Sequence, residues 1–307
     1  MLIIFIFFSI FWLESTNGLN FARLDPMQMK YLCLLTAFIV VTPCMNAQRI
    51  HLGVFGGAAA YTGDLTSKLF PKKVTKGAVG ITLNYEISDL LMLRSGVTLA
   101  KIGGADRYSD KPSLVLRNLS FETNILEFSS IVEYNLLSLN LRRYSPYMFA
   151  GVSVFKFDSY TYDKTGQKYY LKPLSTEGQG LSSYPDRKPY HLTQVAIPFG
   201  GGAKFAINDN LRVGVEFGLR KLFTGYLDDV NYKYVNQADL LAERGQLAVE
   251  LSYRGDELAG GRVSYPNKTD QRGDPKSKDY FYFAGIHFTS RLTNNSKYHA
   301  GCPVNVY

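Results

Sequence analysis

The chain has 307 residues, of which 46% are hydrophobic and 20% are charged, and its formal net charge is +8. Its Lys and Arg residues are scattered without a run of four, so the positive charge does not indicate a nucleic-acid-binding protein. After the N-terminal region no stretch approaches the ~18 apolar residues of a spanning helix. With only three cysteines, neither a disulfide framework nor a zinc site is indicated.

The first 47 residues are predicted to be a targeting region. Residues 29–47, "MKYLCLLTAFIVVTPCMNA", combine a lysine, an apolar run and a small residue at the end, which is the layout of a secretory signal peptide. Residues 1–28 are expected to be an extension upstream of the true start. Cys302 would then be the only cysteine of the exported chain, either as a free thiol or in an intermolecular bond.

Segments with period-2 alternation follow, and each predicts a β-strand. They lie at about 49–61, 77–87, 90–102, 122–136, 146–158, 194–207, 211–223 and 280–292. The segment "LRVGVEFGLRKLF" at 211–223 shows the pattern, because apolar residues at odd positions alternate with Arg212, Glu216 and Arg220. One face of each strand could contact lipid while the other faces a polar interior.

The connections between these segments alternate between short and long. Links after the second, fourth and sixth strands are short, whereas residues 158–193 and 224–279 form long loops. This pattern is typical of outer-membrane barrels, and a soluble β-sandwich gives no reason for it. We therefore predict an all-β fold: an eight-stranded antiparallel transmembrane β-barrel over residues 48–293, with long extracellular loops and a periplasmic C-terminal tail, residues 294–307.

Charged residues at inward positions predict a network inside the barrel. An eight-stranded lumen is filled by side chains, and buried charges there require partners of opposite sign. The predicted network consists of Arg94, Glu127, Glu133, Lys204, Arg212, Glu216 and Arg220. We expect it to fill and stiffen the barrel rather than to conduct or catalyse.

The longest loop contains one helical pattern. In residues 236–253 apolar side chains recur at helical spacing, with Asn236 and Asp239 as candidate caps, so a short amphipathic helix is expected.

The remaining motifs give little support to an enzyme. The Gly-rich segments lack the GK[ST] of a phosphate loop, there is no G-x-S-x-G motif, and the four histidines are not at metal-ligand spacing. No catalytic residue, cofactor, metal or small-molecule substrate is predicted. The enzyme alternative stays open only through His191, at the base of a long loop.

Several segments resemble one family along residues 48–307. They are "GVFGGAAAYTGDL", "SPYMFAGVSVFKFD", "QVAIPFGGGAKFAINDNLRVGVEFGLRKLFTGYLDDV", "LSYRGDE", "RGDPKSKDYFYFAGI" and "GCPVNVY". These segments are similar to the PorG family, outer-membrane barrels of the type IX secretion system of Bacteroidota. The resemblance implies a non-enzymatic barrel in the outer membrane of a Gram-negative bacterium, associated with the periplasmic ring of the lipoprotein PorK and its partner PorN. It also implies a role in protein export and, in gliding species, in motility.

If the barrel holds that ring, its periplasmic turns and its tail supply the contacts. The candidate docking residues are Arg142, Arg143, Asp209, Asn210, Tyr298, Cys302 and Tyr307. Outer-membrane lipid, with lipopolysaccharide as an open alternative, is the other expected partner. A generic structural or adhesive barrel that binds through its extracellular loops remains a rival interpretation.

Overall fold

The computed structural model describes residues 50–66, 71, 73–260 and 264–292. Ten strands and three α-helices occur in this part of the chain. The strands are β1 (Ile50–Thr62), β2 (Lys76–Glu86), β3 (Leu91–Ala105), β4 (Ser120–Asn135), β5 (Tyr144–Lys156), β6 (Tyr160–Tyr162), β7 (Lys168–Tyr170), β8 (Thr193–Ala206), β9 (Leu211–Leu222) and β10 (Tyr280–Arg291). The helices are α1 (Pro112–Arg117), α2 (Gln237–Arg244) and α3 (Gln246–Ser252).

Eight long strands form a closed antiparallel barrel. The order is β3-β2-β1-β10-β9-β8-β5-β4, and pairing of β3 with β4 closes the ring. Closure is extensive, because residues 91–105 of β3 pair with residues 120–134 of β4. The predicted eight-stranded barrel is confirmed; the small β6–β7 hairpin is an additional element in the loop after β5.

The outer wall of the barrel is apolar and exposed. Strands alternate between exposed apolar and buried residues, as in β2, where Val79 and Ile81 are each 61% exposed. We call this surface the apolar belt. It comprises Leu52, Val54, Val79, Ile81, Leu83, Leu93, Val97, Leu99, Leu126, Phe128, Val132, Met148, Val152, Val154, Val195, Ile197, Phe199, Phe205, Val215, Phe217, Ile286 and Phe288. A soluble monomer rarely exposes so large an apolar surface, whereas a transmembrane barrel presents such a band to lipid.

The connections are sorted by length between the two ends of the barrel. Residues 87–90, 136–143 and 207–210 form the short-turn end, and the described residues within 63–75, 106–119, 157–192 and 223–279 form the long-loop end. The eight barrel strands have 11 to 16 residues, which is enough to cross a bilayer, where ~9–11 tilted residues suffice. None of the helices among the described residues is both long and apolar enough to span a membrane.

The predicted single helix at 236–253 is wrong in one respect, because two helices occur there. Gly245, with a φ of 82°, separates α2 from α3. Asn236 caps α2 as predicted, since its side chain accepts a hydrogen bond of 2.8 Å from the backbone N–H of Ala238. Leu240 and Ala248 are fully buried, whereas Leu241, the next residue of α2, is 45% exposed.

A hydrophobic core fills the half of the lumen nearest the long loops. Aromatic side chains from several strands meet there, including Phe55, Phe121, Phe155 and Phe281. Phe155 and Phe281 are in edge-to-face contact with ring centroids 5.4 Å apart. Leu227 and Val230, from the loop after β9, join the same cluster. The long loops therefore close this end of the barrel with side chains that continue its core.

Candidate functional site

The middle of the lumen holds a cluster of opposite charges. Arg94 Nη1 lies 2.6 Å from Glu216 Oε2 and 3.8 Å from Glu133 Oε2, and the Lys204 ammonium contacts Glu133. Tyr147 donates a hydrogen bond of 2.8 Å to Glu216. All four charged side chains are at most 7% exposed. β3, β4, β8 and β9 thus each contribute one charge to a compact group that crosses the interior.

A separate pair lies nearer the long-loop end. Arg220 Nε is 3.3 Å from Glu127 Oε2, and neither side chain is more than 7% exposed. The guanidinium also lies 4.1 Å above the ring of Phe283, and its Nη1 donates a hydrogen bond to the carbonyl of Gly218. This pair forms the boundary between the charged and the aromatic halves of the lumen.

Arg212 belongs to a third group at the short-turn end. Its Nη1 lies 2.6 Å from Glu86 Oε1, and the same carboxylate lies 3.1 Å from His51 Nε2 and 3.7 Å from Arg291 Nη2. Glu86 is absent from the network predicted from the sequence, although it falls on the inward face by the same alternation. The alternation is weak evidence for an inward Glu86, because this residue is the last of β2 and a side chain at a strand end can turn to solvent.

The charges in the middle of the lumen are paired with one another across the strands. Removing charges from water is costly unless each is paired, and the lumen meets that cost with cross-strand partners. His287 also belongs to the central cluster around Arg94, because its Nδ1 lies 3.3 Å from Arg94 Nη1. No cluster of three or more His, Cys, Asp or Glu side chains in the described ranges has the geometry to hold a metal ion.

The predicted docking residues that are described lie together at the short-turn end. The backbone carbonyl of Arg143 accepts a hydrogen bond from Ala206, and that of Asn210 accepts one from Arg291, each at 2.8 Å. Arg142, Arg143 and Asp209 are exposed. Leu141, which the sequence did not single out, is 84% exposed beside them. The docking residues Tyr298, Cys302 and Tyr307 lie outside the described residues.

The long-loop end contains a second charge network that sequence reasoning missed. Arg272 Nη1 lies 3.1 Å from Glu177 Oε1, and Arg117 Nη2 lies 2.6 Å from Asp106 Oδ1. Glu177 also accepts hydrogen bonds from the backbone N–H groups of residues 231 and 232. The Arg117 guanidinium also donates a hydrogen bond to the backbone carbonyl of Arg272, so the network ties the loops after β3, β5 and β9 to one another.

Carboxyl groups converge above the aromatic core. Tyr61 donates a hydrogen bond to Asp228 and lies 3.3 Å from Asp279 Oδ1. Burial, with a smaller contribution from neighbouring carboxyl groups, raises the pKa of Asp279 to about 8 and that of Asp64 to about 6. The pKa of Asp228 is also raised well above its ordinary value by burial and by Asp279. This cluster favours at least one protonated carboxyl at neutral pH.

His191, the candidate base of the enzyme alternative, is exposed. Its backbone carbonyl accepts a hydrogen bond of 2.9 Å from the side chain of Gln194, which positions the loop entrance at β8.

Residues 29–253 match the model of a family described as a domain of unknown function, DUF6089. The chain belongs to this family. A search of curated proteins found no match.

Three solved outer-membrane structures are similar to this member of DUF6089. Neisserial surface protein A is 10% identical to this chain, with a TM-score of 0.39. The alignment covers 79% of this chain and 97% of the Neisserial protein. OprG from Pseudomonas aeruginosa has 10% identity and a TM-score of 0.36, covering 79% and 96%. The outer membrane enzyme PagL has 9% identity and a TM-score of 0.30, covering 79% and 99%. All three scores are below 0.5, so the fold assignment rests on the strand pairing of the chain itself.

Proposed function

We propose that this protein is a non-enzymatic structural barrel of the outer membrane that anchors a periplasmic assembly. The observation that carries the proposal is the combination of a continuous apolar belt with a filled lumen. The belt requires lipid, and a lumen filled by paired charges and aromatic rings leaves the two ends of the barrel as the surfaces available for function.

The partner proposed for the short-turn end is the ring formed by PorK and PorN of the type IX secretion system. The resemblance to the PorG family in residues 48–307 supplies this identification. The exposed turn with Leu141, Arg142 and Arg143 supports it, because an apolar residue beside two arginines can bury against a partner while the arginines pair with carboxylates. In gliding species the same anchor would serve motility.

The proposal is tested by exchanging charge at one end of the barrel at a time. The docking variant is Arg142→Glu/Arg143→Glu, and its matched control is Lys276→Glu/Lys278→Glu, a pair of exposed residues at the long-loop end. Outer membranes are cross-linked, this protein is purified, and co-purified PorK and PorN are quantified. A heat-dependent gel shift verifies that the barrel is inserted and folded.

We expect the docking variant to lose about tenfold or more of the recovered PorK, since two charge reversals at a rim shift affinity by more than ~1.4 kcal/mol. The control should keep wild-type recovery. Loss only in the control would instead favour an adhesive barrel that works through its long loops. Equal recovery in both variants, together with equal recovery after removal of residues 294–307, would contradict the anchoring role.

Two further variants address Cys302 and His191. A reductant-sensitive higher band in a non-reducing gel of outer membranes, absent in Cys302→Ser, would establish a covalent partner of the tail. His191→Ala is expected to leave secretion of cargo unchanged. A loss of secretion in His191→Ala with PorK recovery intact would instead favour the enzyme alternative.

A further inference from the structure

A cleft lies on the outside of the barrel at the long-loop end, away from the lumen and from the short turns. It has a volume of about 120 Å³ and lies between the upper parts of β3 and β4, the loop before β2, and β6. Its lining includes Lys73, Lys76, Arg107, Tyr108, Glu122 and Tyr160. We call it the rim cleft.

Positive charge dominates the rim cleft. Lys76 Nζ and Lys101 Nζ lie 3.1 Å and 2.7 Å from the two oxygens of Glu122. This carboxylate holds the two ammonium groups on either side of it, and Tyr160 donates a hydrogen bond of 3.1 Å to the same group. Lys73 and Arg107, both exposed, add two further cations to the cleft. Glu122 therefore fixes the position of two lysines without balancing the charge of the whole cluster.

Tyrosine rings form the other part of the cleft. Lys168 Nζ lies 3.7 Å from the centroid of the Tyr160 ring, and Lys73 Nζ lies 5.2 Å from that of Tyr108. Such cation–π contacts hold flexible lysines in place. Tyr162, 42% exposed, also lines the cleft. Rings of this kind offer flat apolar faces with a hydroxyl at the edge, on which a sugar ring can stack.

The rim cleft is directly above the apolar belt. Lys101 is two residues beyond Leu99 on the same outward face of β3, a distance of roughly 7 Å along a strand. On β4 the outward residue Leu126, which pairs with Leu99, lies on the belt side of Glu122. Leu99 and Leu126 are 55% and 47% exposed. Asn124, which pairs with Lys101, is the one outward residue of β4 between Glu122 and Leu126, so acyl chains of a molecule bound in the cleft can reach the belt past a single polar position.

We propose that the rim cleft binds the phosphorylated sugar head group of a membrane lipid whose acyl chains lie along the apolar belt. Lys73, Lys76 and Arg107 line the cleft, and Lys101 lies at its edge against Glu122. All four would contact phosphate, because ammonium and guanidinium groups are the side chains that bind it. Tyr108 and Tyr162 would contact the sugar. The acyl chains supply the third contact, which a soluble phosphate lacks. This inference goes beyond the anchoring role and does not depend on the short-turn end.

The binding test uses the full chain in nonionic detergent and native mass spectrometry. The probes are diphosphorylated lipid A, the same lipid after removal of its phosphates, phosphatidylglycerol, and inorganic phosphate as a competitor. The test variant is Lys76→Gln/Lys101→Gln. The matched control is Lys221→Gln/Lys278→Gln, in which Lys221 is an exposed residue of β9, across the barrel from β3 and β4. The heat-dependent gel shift establishes folding of each variant.

We expect the test variant to bind diphosphorylated lipid A about tenfold or more weakly than the wild type. The reason is that each lysine near an anionic lipid surface raises the binding affinity several-fold. The control should stay within about twofold of the wild type. If the test variant fails to fold, Lys73→Gln/Arg107→Gln replaces it, because both side chains are exposed. Loss of affinity in that variant supports the proposal equally.

Three outcomes would overturn the proposal. Equal binding of dephosphorylated lipid A would mean that phosphate is not recognised. Equal binding of phosphatidylglycerol would mean that the sugar contributes nothing. Full displacement by millimolar inorganic phosphate would identify a site for a free anion rather than for a lipid.

Discussion

Removing the Arg220 guanidinium should destabilise the barrel strongly, because its partner Glu127 has no exposed surface. Arg220 Nε lies 3.4 Å and 3.3 Å from the two oxygens of Glu127. In Arg220→Met the carboxylate stays buried without this partner, and breaking a buried ion pair costs about 3–5 kcal/mol. Glu127→Leu should cost less, about 2–3 kcal/mol, since Arg220 keeps its contact with Phe283 and its hydrogen bond to Gly218.

The double variant Glu127→Leu/Arg220→Met separates this reasoning from simple loss of volume. Replacing both members of a buried pair by apolar residues is often neutral, so the double variant should lie within about 1.5 kcal/mol of the wild type. The expected coupling energy is therefore several kcal/mol. Lys221→Met, at the adjacent exposed position, is the matched control and should change stability by less than about 0.5 kcal/mol.

The assay is urea unfolding of the barrel in lipid vesicles, followed by far-UV circular dichroism and by the heat-dependent gel shift. Tryptophan fluorescence does not serve here, since the single Trp of the chain is Trp12, in the predicted upstream extension. Single variants that each cost less than about 1 kcal/mol, or a double variant whose cost equals the sum of the two, would refute the view that this pair is a coupled element of the lumen.

Three other changes have expected outcomes. In Gly57→Ala the new Cβ would meet the Ala284 carbonyl and lie 2.6 Å from Gly285 Cα, so urea unfolding should show a loss of about 1–3 kcal/mol. Gly56→Ala, where nothing lies within 4 Å, is the control and should be near neutral. Asn236→Ala removes the cap of α2 and should cost about 1 kcal/mol, visible as faster hydrogen exchange in residues 237–244; unchanged exchange would argue against the cap. Stability of the long loops should fall as pH rises from 6 to 9. The reason is that burial raises the pKa of the Asp279 carboxyl from 3.8 in the unfolded chain to about 8 in the folded protein, so the folded state binds this proton more tightly. The stability that the bound proton contributes therefore declines as the pH rises towards about 8 and is absent above it. Limited proteolysis at both pH values measures it, and Asp279→Asn should flatten the dependence; equal cleavage of the wild type at pH 6 and pH 9 would contradict it.

The loops at the long-loop end were beyond prediction from sequence. Arg272 and Glu177 are 95 residues apart in the chain, and no local pattern connects them. The helical spacing of apolar residues in 236–253 predicts a helix, but it does not predict that the helix is divided in two. Gly245 divides it through a left-handed φ of 82°, a conformation that glycine adopts readily but that sequence spacing does not require.

The sequence by itself determined the barrel, because its determinants are local. Alternation with a period of two assigns each side chain to the lumen or to lipid, and the parity of loop lengths orients the two ends. It also assigned Arg94 and Glu216 to the interior. Only the tertiary structure decided that Arg94 of β3 meets Glu216 of β9 across the lumen, that Glu86 is the partner of Arg212, and that Lys76, Lys101 and Glu122 meet at the rim cleft. Those contacts depend on register, strand tilt and closure of the ring, which arise when all eight strands pair at once.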